Sequence, residues 1–397
     1  MADLLTVGDA LTRIVETATP LGVEMIPVTS AAGRVLREPA IATVDLPPFP
    51  SSAMDGFAVR STEVPGVLPI AFRVPAGTPP PGPLSAGSAA GISTGGTVPE
   101  GADAVVPVEL VEDRGTHVAI EAAASEGQHV RPRGGDVRAG AVVAEPGTWV
   151  GPAQLGALAA AGIADVTCST APRIAVLATG SELRTAGESL EPGQIYESNR
   201  AMIAAVLRRA GARVDTLPVV ADDEAAHREA LSRGLEADVL VTSGGVSMGE
   251  HDLVRRVEGE LGVREVFWGV AVKPGKPISF GVRERTLVFG LPGNPVSSLV
   301  GALVFVTTGL RALQGAADPL PRFAQGVTAS ALRRNVHRDE FVRARRVDEG
   351  ERVLLDPISG QESHMIARAA VANALVLVPR GDGELAAGTT VRFLGLD

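Results

Sequence analysis

Residues 237–252 read ADVLVTSGGVSMGEHD, an apolar run that exits through paired glycines and ends in three ionisable side chains. ADVLV has the length and branching of a buried strand. Ser243 ends the run, Gly244 and Gly245 allow a tight exit, and Ser247, Glu250 and Asp252 then place polar atoms where a helix would begin. Two further runs in this region repeat the pattern: RIAVLATGSEL at 173–183 and TLVFGLPGNP at 286–295. Between them lie helical patterns, SNRAMIAAVLRRAGA (198–212) and DDEAAHREALSRGLE (222–236), the second opened by acids that suit a helix's positive end. Strand alternating with helix predicts a doubly wound α/β domain over 172–317 with a largely parallel sheet.

The flanking text has other rhythms. Near the N-terminus Ala10, Leu11, Ile14, Val15 and Ala18 share one helical face, closed by Pro20 and Gly22. From about residue 47 to 146, short β runs such as PIAFRV, GADAVVPVEL, THVAI and GAVVAEPG alternate with Gly and Pro. GPAQLGALAAAGI (151–163) restores a helix, with Pro152 suited to its first turn. It is expected to pack near the first helix. The β stretch then reads as an insertion into an N-terminal helical domain made of 1–46 and 147–171. After about residue 318 the runs FAQGVTASALRRN, EFVRARRVDEGERVLLDPI, ALVLVPRG and TTVRFLGL predict a small β-barrel or sandwich over 318–397.

Composition narrows the function classes. The 397 residues are too many for one ordinary core. A net charge of -10 argues against general nucleic-acid binding, because phosphates would be repelled. Cys168 is the single cysteine, which excludes an intramolecular disulfide and a cysteine zinc cluster and suits a reducing cytoplasm. The first residues carry acids where a secretion signal needs positive charge. The longest apolar candidate, SSLVGALVFVTTGL, is interrupted by Gly and Thr and reads as a buried helix rather than a membrane span. No nucleic acid and no membrane are expected as partners.

In an open α/β sheet, ligands bind beyond the carboxyl ends of the strands. Three loops occupy that edge: ATGSEL with Gly180, TSGGVSMGEHD with Gly244 and Gly245, and FGLPGNPVSS with Pro292, Gly293 and Asn294. Glycines there let the backbone approach a ligand and offer free N–H groups to an anion. One glycine turn is usually only a turn; three on one edge point to a site. VAVKPGKPISFG (270–281) adds Lys273 and Lys276 on a stretch stiffened by proline, a pair suited to phosphate or a similar oxyanion. Glu182, Asp222 and Asp252 near such an anion suggest Mg²⁺. Helix capping is an equally good account of Asp222. His251, without a second His or Cys at ligand spacing, reads as a surface residue. In the β insertion, SSAMDGFAVR (51–60) sets Asp55 in a proline-bounded loop that by itself would be a tight turn.

Taken together, PPFPSSAMDGFAV, ISTGGTVPEGADAVVP, VRPRGGDV, LATGSEL, GQIYESN, VTSGGVSMGEHD, VKPGKP and GLPGNPVSS, in this order and spread over nearly the whole chain, resemble the molybdopterin molybdenumtransferase (MoeA) family, related to the gephyrin E domain. The resemblance implies four domains and an elongated homodimer, with a cleft between the α/β domain of one subunit and the inserted domain of the other. It implies that molybdate is joined to adenylylated molybdopterin with loss of AMP. Lys273, Lys276 and the glycine-turn amides would hold phosphate or molybdate, Glu182, Asp222 and Asp252 would hold Mg²⁺, and Asp55 would reach across the dimer. Thr94 and Asp136 match further family positions, as do Arg343 and Ser363 in the last domain. Other cofactor-biosynthesis proteins are implied as possible partners. The chain departs from the family pattern at Gly135, Ser181 and Gly269. Alternatives are an adenylyltransferase on the same α/β fold, which needs only the central domain, and a non-catalytic scaffold or molybdopterin-binding protein, which would have lost the acids and lysines. A general nucleotide-binding protein lacks support, since no GxxxxGK[ST] loop occurs.

Overall fold

The structure is a computed structural model and describes residues 4–221, 223–245, 253–350 and 352–396. At its centre a six-stranded sheet runs in the order Arg213–Thr216, Arg173–Ala178, Val239–Ser243, Thr286–Leu291, Ser279–Arg283, Arg264–Trp268. The first four strands are mutually parallel, Ser279–Arg283 runs against them, and Arg264–Trp268, antiparallel to that strand, runs in their direction again. Side chains alternate across it. Ile174, Val176, Val239 and Val241 enter one core with Ile203, Leu207 and Leu310, while Ala175, Leu177 and Leu240 enter another with Leu231, Val254 and Val257. Both faces are therefore covered, as a parallel sheet requires. The segment Pro295–Leu313, containing the long apolar run, lies largely buried inside the first of these cores.

The helix Val7–Thr17 buries Val7, Ala10, Leu11 and Ile14, with Thr6 capping its start through the Asp9 N–H. Each of the larger three contributes roughly 1.5–3 kcal/mol of burial. Its partners are Phe289, Phe305 and Leu310 of the central core, not the second helix. That helix, Pro152–Ala160, packs with Val28, Leu36, Ala40 and Cys168, beside a two-stranded ladder of Val23–Pro27 with Asp165–Ser169. The expectation that the two helices meet is thus corrected. The apolar stripe of the first helix fits the larger hydrophobic surface left on the α/β unit.

The inserted segment forms a six-stranded sheet ordered Ala104–Pro107, Gly56–Val59, Ala89–Ile92, Gly66–Val74, His117–Ile120, Val111–Asp113. Gly56 opens a strand rather than only completing a turn, and a Cβ there would lie 2.0 Å from the Val106 carbonyl oxygen. The last segment closes on itself. Strands Asp339–Glu349, Arg352–Pro357, Ala324–Thr328, Thr390–Gly395 and Ala374–Val378 form a five-stranded barrel, the first pairing with the last. Val272–Lys273 adds to this barrel alongside Asp339 and Glu340, tying it to the central domain.

Candidate functional site

A cavity of about 970 Å³ opens at the carboxyl ends of the central parallel strands. Gly180, Glu182, Ser243, Gly244, Gly245, Lys276, Pro292, Gly293 and Asn294 line it, so one wall gathers all three glycine loops. Asp222, Ser247, Glu250, His251 and Asp252 lie outside the described residues. The helix Glu224–Gly234 is capped by Asp223, whose carboxylate accepts the Ala226 N–H.

The paired glycines are demanded by space as well as by backbone angle. Gly244 and Gly245 have φ of +96° and +65°. A Cβ on Gly245 would approach Val254 Cγ2 to 2.3 Å, and one on Gly244 would approach the Thr179 carbonyl oxygen to 2.8 Å. The expected free amides are only partly available. The Gly180 N–H donates to the Val220 carbonyl and the Gly244 N–H to the Leu291 carbonyl, both at 3.0 Å, so these groups brace neighbouring loops instead of facing a ligand.

A polar relay holds the loops in register. The Asn199 side-chain amide donates to Ser243 Oγ at 2.9 Å and to the Gly293 carbonyl at 2.7 Å. Because a carbonyl can only accept, the amide orientation is settled. The Ser298 hydroxyl donates to the Pro292 carbonyl. Its single proton being used there, Ser243 must be the donor in the 3.2 Å contact between the two hydroxyls. Asn199 Oδ1 is left without a hydrogen-bond partner among the described residues.

The two lysines part company. Lys276 lines the cavity. Lys273 Nζ instead pairs with Glu340 of the barrel at 3.1 Å, which corrects the picture of two cations gripping one anion. Parallel pairing of Val272–Lys273 with the barrel strand makes Lys273 and Glu340 register partners and so brings the two side chains together. The Glu182 carboxylate folds back over Gly180, close enough that a Cβ on the glycine would meet it at 2.5 Å.

Arg343 is also reassigned. It is buried, and burial pulls its pKa below the usual guanidinium range. Its donors are given to Gln361 Oε1 and to the carbonyls of Gly360 (2.9 Å), Glu362 (3.3 Å) and Met365 (3.2 Å). It organises the 360–365 loop and is absent from the cavity lining, although His364 and Ile366 from this region do line it. Ser363 takes part through its carbonyl, which accepts the Val296 N–H at 3.0 Å.

Asp55, Thr94 and Asp136 do not line the cavity of their own chain. Asp55 and Thr94 do meet, the carboxylate accepting the Thr94 N–H at 2.8 Å. The Asp136 N–H donates to the Leu46 carbonyl at 2.9 Å, in a loop also held by Asp45. Asp45 accepts the Ala139 N–H and pairs with Arg133, and these contacts hold its carboxyl below the usual range. At the family departure Gly269, φ is +87°, a backbone conformation that L residues rarely adopt, and a Cβ would meet the tip of the Leu4 side chain at 2.7 Å.

Asn199, Ser298, Tyr196, His227 and His364 belong to the cavity or its relay without having been singled out as site residues. Asn199, Tyr196 and Ser298 sit inside the motifs GQIYESN and GLPGNPVSS, but at or near a helix's first turn a polar residue reads equally well as a cap.

Residues 5–162 match the MoeA N-terminal region (domain I and II), 175–312 the probable molybdopterin binding domain, and 325–396 the MoeA C-terminal region (domain IV). The chain is 38% identical over 391 residues to molybdopterin molybdenumtransferase 2 of Mycobacterium tuberculosis, covering 94% of each. It is 34% identical to the Haemophilus influenzae molybdopterin molybdenumtransferase over 396 residues, covering 98% of each. The crystal structure of a molybdopterin biosynthesis MoeA protein from Pyrococcus horikoshii OT3 superimposes with a TM-score of 0.82 at 27% identity, covering 99% of this chain and 100% of that one. With its glycine-loop cavity, inserted sheet and closing barrel in the same order along nearly the full length, the chain belongs to the MoeA family of molybdopterin molybdenumtransferases.

Proposed function

We propose that this chain inserts molybdenum from molybdate into molybdopterin, taking adenylylated molybdopterin as its second substrate and releasing AMP. The observation that carries this reading is the cavity at the strand ends, with Lys276 in its wall. An ammonium there suits an anion such as molybdate or the pyrophosphate link. Ser243, Gly245, Gly293 and Asn294 shape the wall around it, and the Asn199–Ser243–Ser298 relay keeps the loops from drifting.

Mg²⁺ is part of the proposal. Glu182, an oxygen donor on the cavity wall, suits a hard cation, and Asp222 and Asp252 would complete the set. Among the described residues no group of three acidic, His or Cys side chains is assembled, so Glu182 is the acid whose placement supports this. When bound, the ion would offset negative charge on the pyrophosphate.

A homodimer is proposed as well. Asp55, Thr94 and Asp136 line no part of their own chain's cavity, so they would serve the cavity of a second copy. The reaction is placed in the cytoplasm, where the buried Cys168 would remain a thiol, and other cofactor-biosynthesis proteins would supply substrate and accept product. The test is direct. Purified protein is incubated with adenylylated molybdopterin, molybdate and Mg²⁺, and AMP is measured by chromatography. AMP release dependent on molybdate is expected; bound but intact substrate overturns the reading.

A further inference from the structure

Tyr196 is the single tyrosine of a chain in which aromatics make up only 3% of residues, and it lines the cavity. Its side chain is held. The hydroxyl donates to the Glu188 carbonyl at 2.9 Å, which tethers the ring by its far end. The backbone beneath is braced too, with Ile195–Tyr196 paired in parallel to Leu183–Arg184 and the Glu197 N–H bonded to the Arg184 carbonyl at 2.8 Å. Yet Tyr196 remains 47% exposed. A tethered ring left open at the mouth of a ligand cavity is preorganised for contact without a large loss of side-chain entropy. The other large ring in the described lining, Trp268, already carries the Arg255 guanidinium 5.4 Å from its centroid. Leu183, Ile195 and Ile366 also line the wall and add apolar surface, which offers little to an oxyanion.

We propose that Tyr196 is a stacking platform for a planar heterocycle of the substrate. The proposal rests on the function put forward above. In that substrate only the adenine and the pterin present such a face, whereas phosphate and molybdate do not, so the ring end and the Lys276 end of the cavity would read different parts of one molecule. Tyr196 is then a residue that sets affinity and orientation rather than one that moves a proton.

Three probes separate the possibilities: AMP, 6-hydroxymethylpterin, and ribose 5-phosphate, which has no aromatic ring. Binding of each is measured by calorimetry to the full chain and to Y196F and Y196L, after thermal melting shows that both variants are folded. Y196F keeps the ring and loses the tether; Y196L keeps apolar bulk and loses the π face. Stacking of a base is worth about 1–3 kcal/mol on removal of the aromatic, so Y196L is expected to weaken one ring-bearing probe by about fivefold or more. Y196F should retain most of that affinity, and ribose 5-phosphate should bind all three proteins alike. A loss confined to AMP assigns adenine to the platform, and a loss confined to the pterin assigns that ring. If Y196L binds both rings as the unmodified chain does, or if Y196F and Y196L lose equally, the platform is refuted. Such a result in a protein that still releases AMP would leave the enzymatic reading standing.

Discussion

Lys273 and Lys276 stand three positions apart in one stiff loop, yet their surroundings give them different work. Lys276 faces the cavity, while Lys273 pairs with Glu340 at about half exposure. K276A should weaken molybdate binding by about 1.5–3 kcal/mol, or roughly ten- to a hundredfold, as seen by calorimetry. K273A removes a partly solvated ion pair and should cost about 0–1 kcal/mol of stability, with a smaller effect on binding. Equal binding defects in both variants would contradict the separation. At Gly245 the restraint is steric. G245A sets a methyl group 2.3 Å from Val254 Cγ2 at a φ that L residues rarely adopt. It should lose at least about 1–3 kcal/mol in thermal unfolding, together with AMP release. These residue types were readable from the chain as cation and glycine turn. Which lysine faces the ligand was not, because that depends on a barrel strand more than sixty residues away.

At the level of elements, the 360–365 loop illustrates how a distant arginine shapes a cavity. Arg343 lies on a barrel strand and holds that loop by its carbonyls, and the loop's Ser363 carbonyl in turn accepts the Val296 N–H of the helix following Pro292. R343M would leave three part-buried carbonyls without their donor and should destabilise the protein by about 1–3 kcal/mol. R343K should not restore it, since an ammonium cannot reproduce the forked donor geometry. A denaturant titration that placed R343K level with the unmodified chain would remove the positioning role. The strand–helix alternation of the central domain was legible from periodicity because Arg173–Ala178, Val239–Ser243 and Thr286–Leu291 are short, largely apolar runs that lead into glycine turns. The partner of the first helix was not. Its stripe of Ala10, Leu11 and Ile14 announces only that one face is buried, and the choice of partner fell to the central core that holds Phe289 and Leu310.

For the whole molecule, the separation of Asp55 from the cavity of its own chain is the feature that matters most. The proposed dimer, in which a second copy would complete the site, makes a specific demand in a closed twofold assembly. D55A and K276A should each abolish or sharply reduce AMP release, while co-refolded mixtures should regain activity, because a hybrid dimer holds one cavity with neither change. Mixtures as inactive as the separate variants would argue against a shared site. Order along the chain was enough to determine the sequence of folding units and the chemical character of the loops: apolar runs, glycine exits, lysines and acids are local properties, set by adjacent residues. Only the tertiary structure decided that the Gly180 and Gly244 amides are spent on the Val220 and Leu291 carbonyls, that Arg343 is a strut, and that Asn199 and Tyr196 belong to the cavity. Those outcomes depend on which donors meet which acceptors across folded distances, and no local pattern of residues records that pairing.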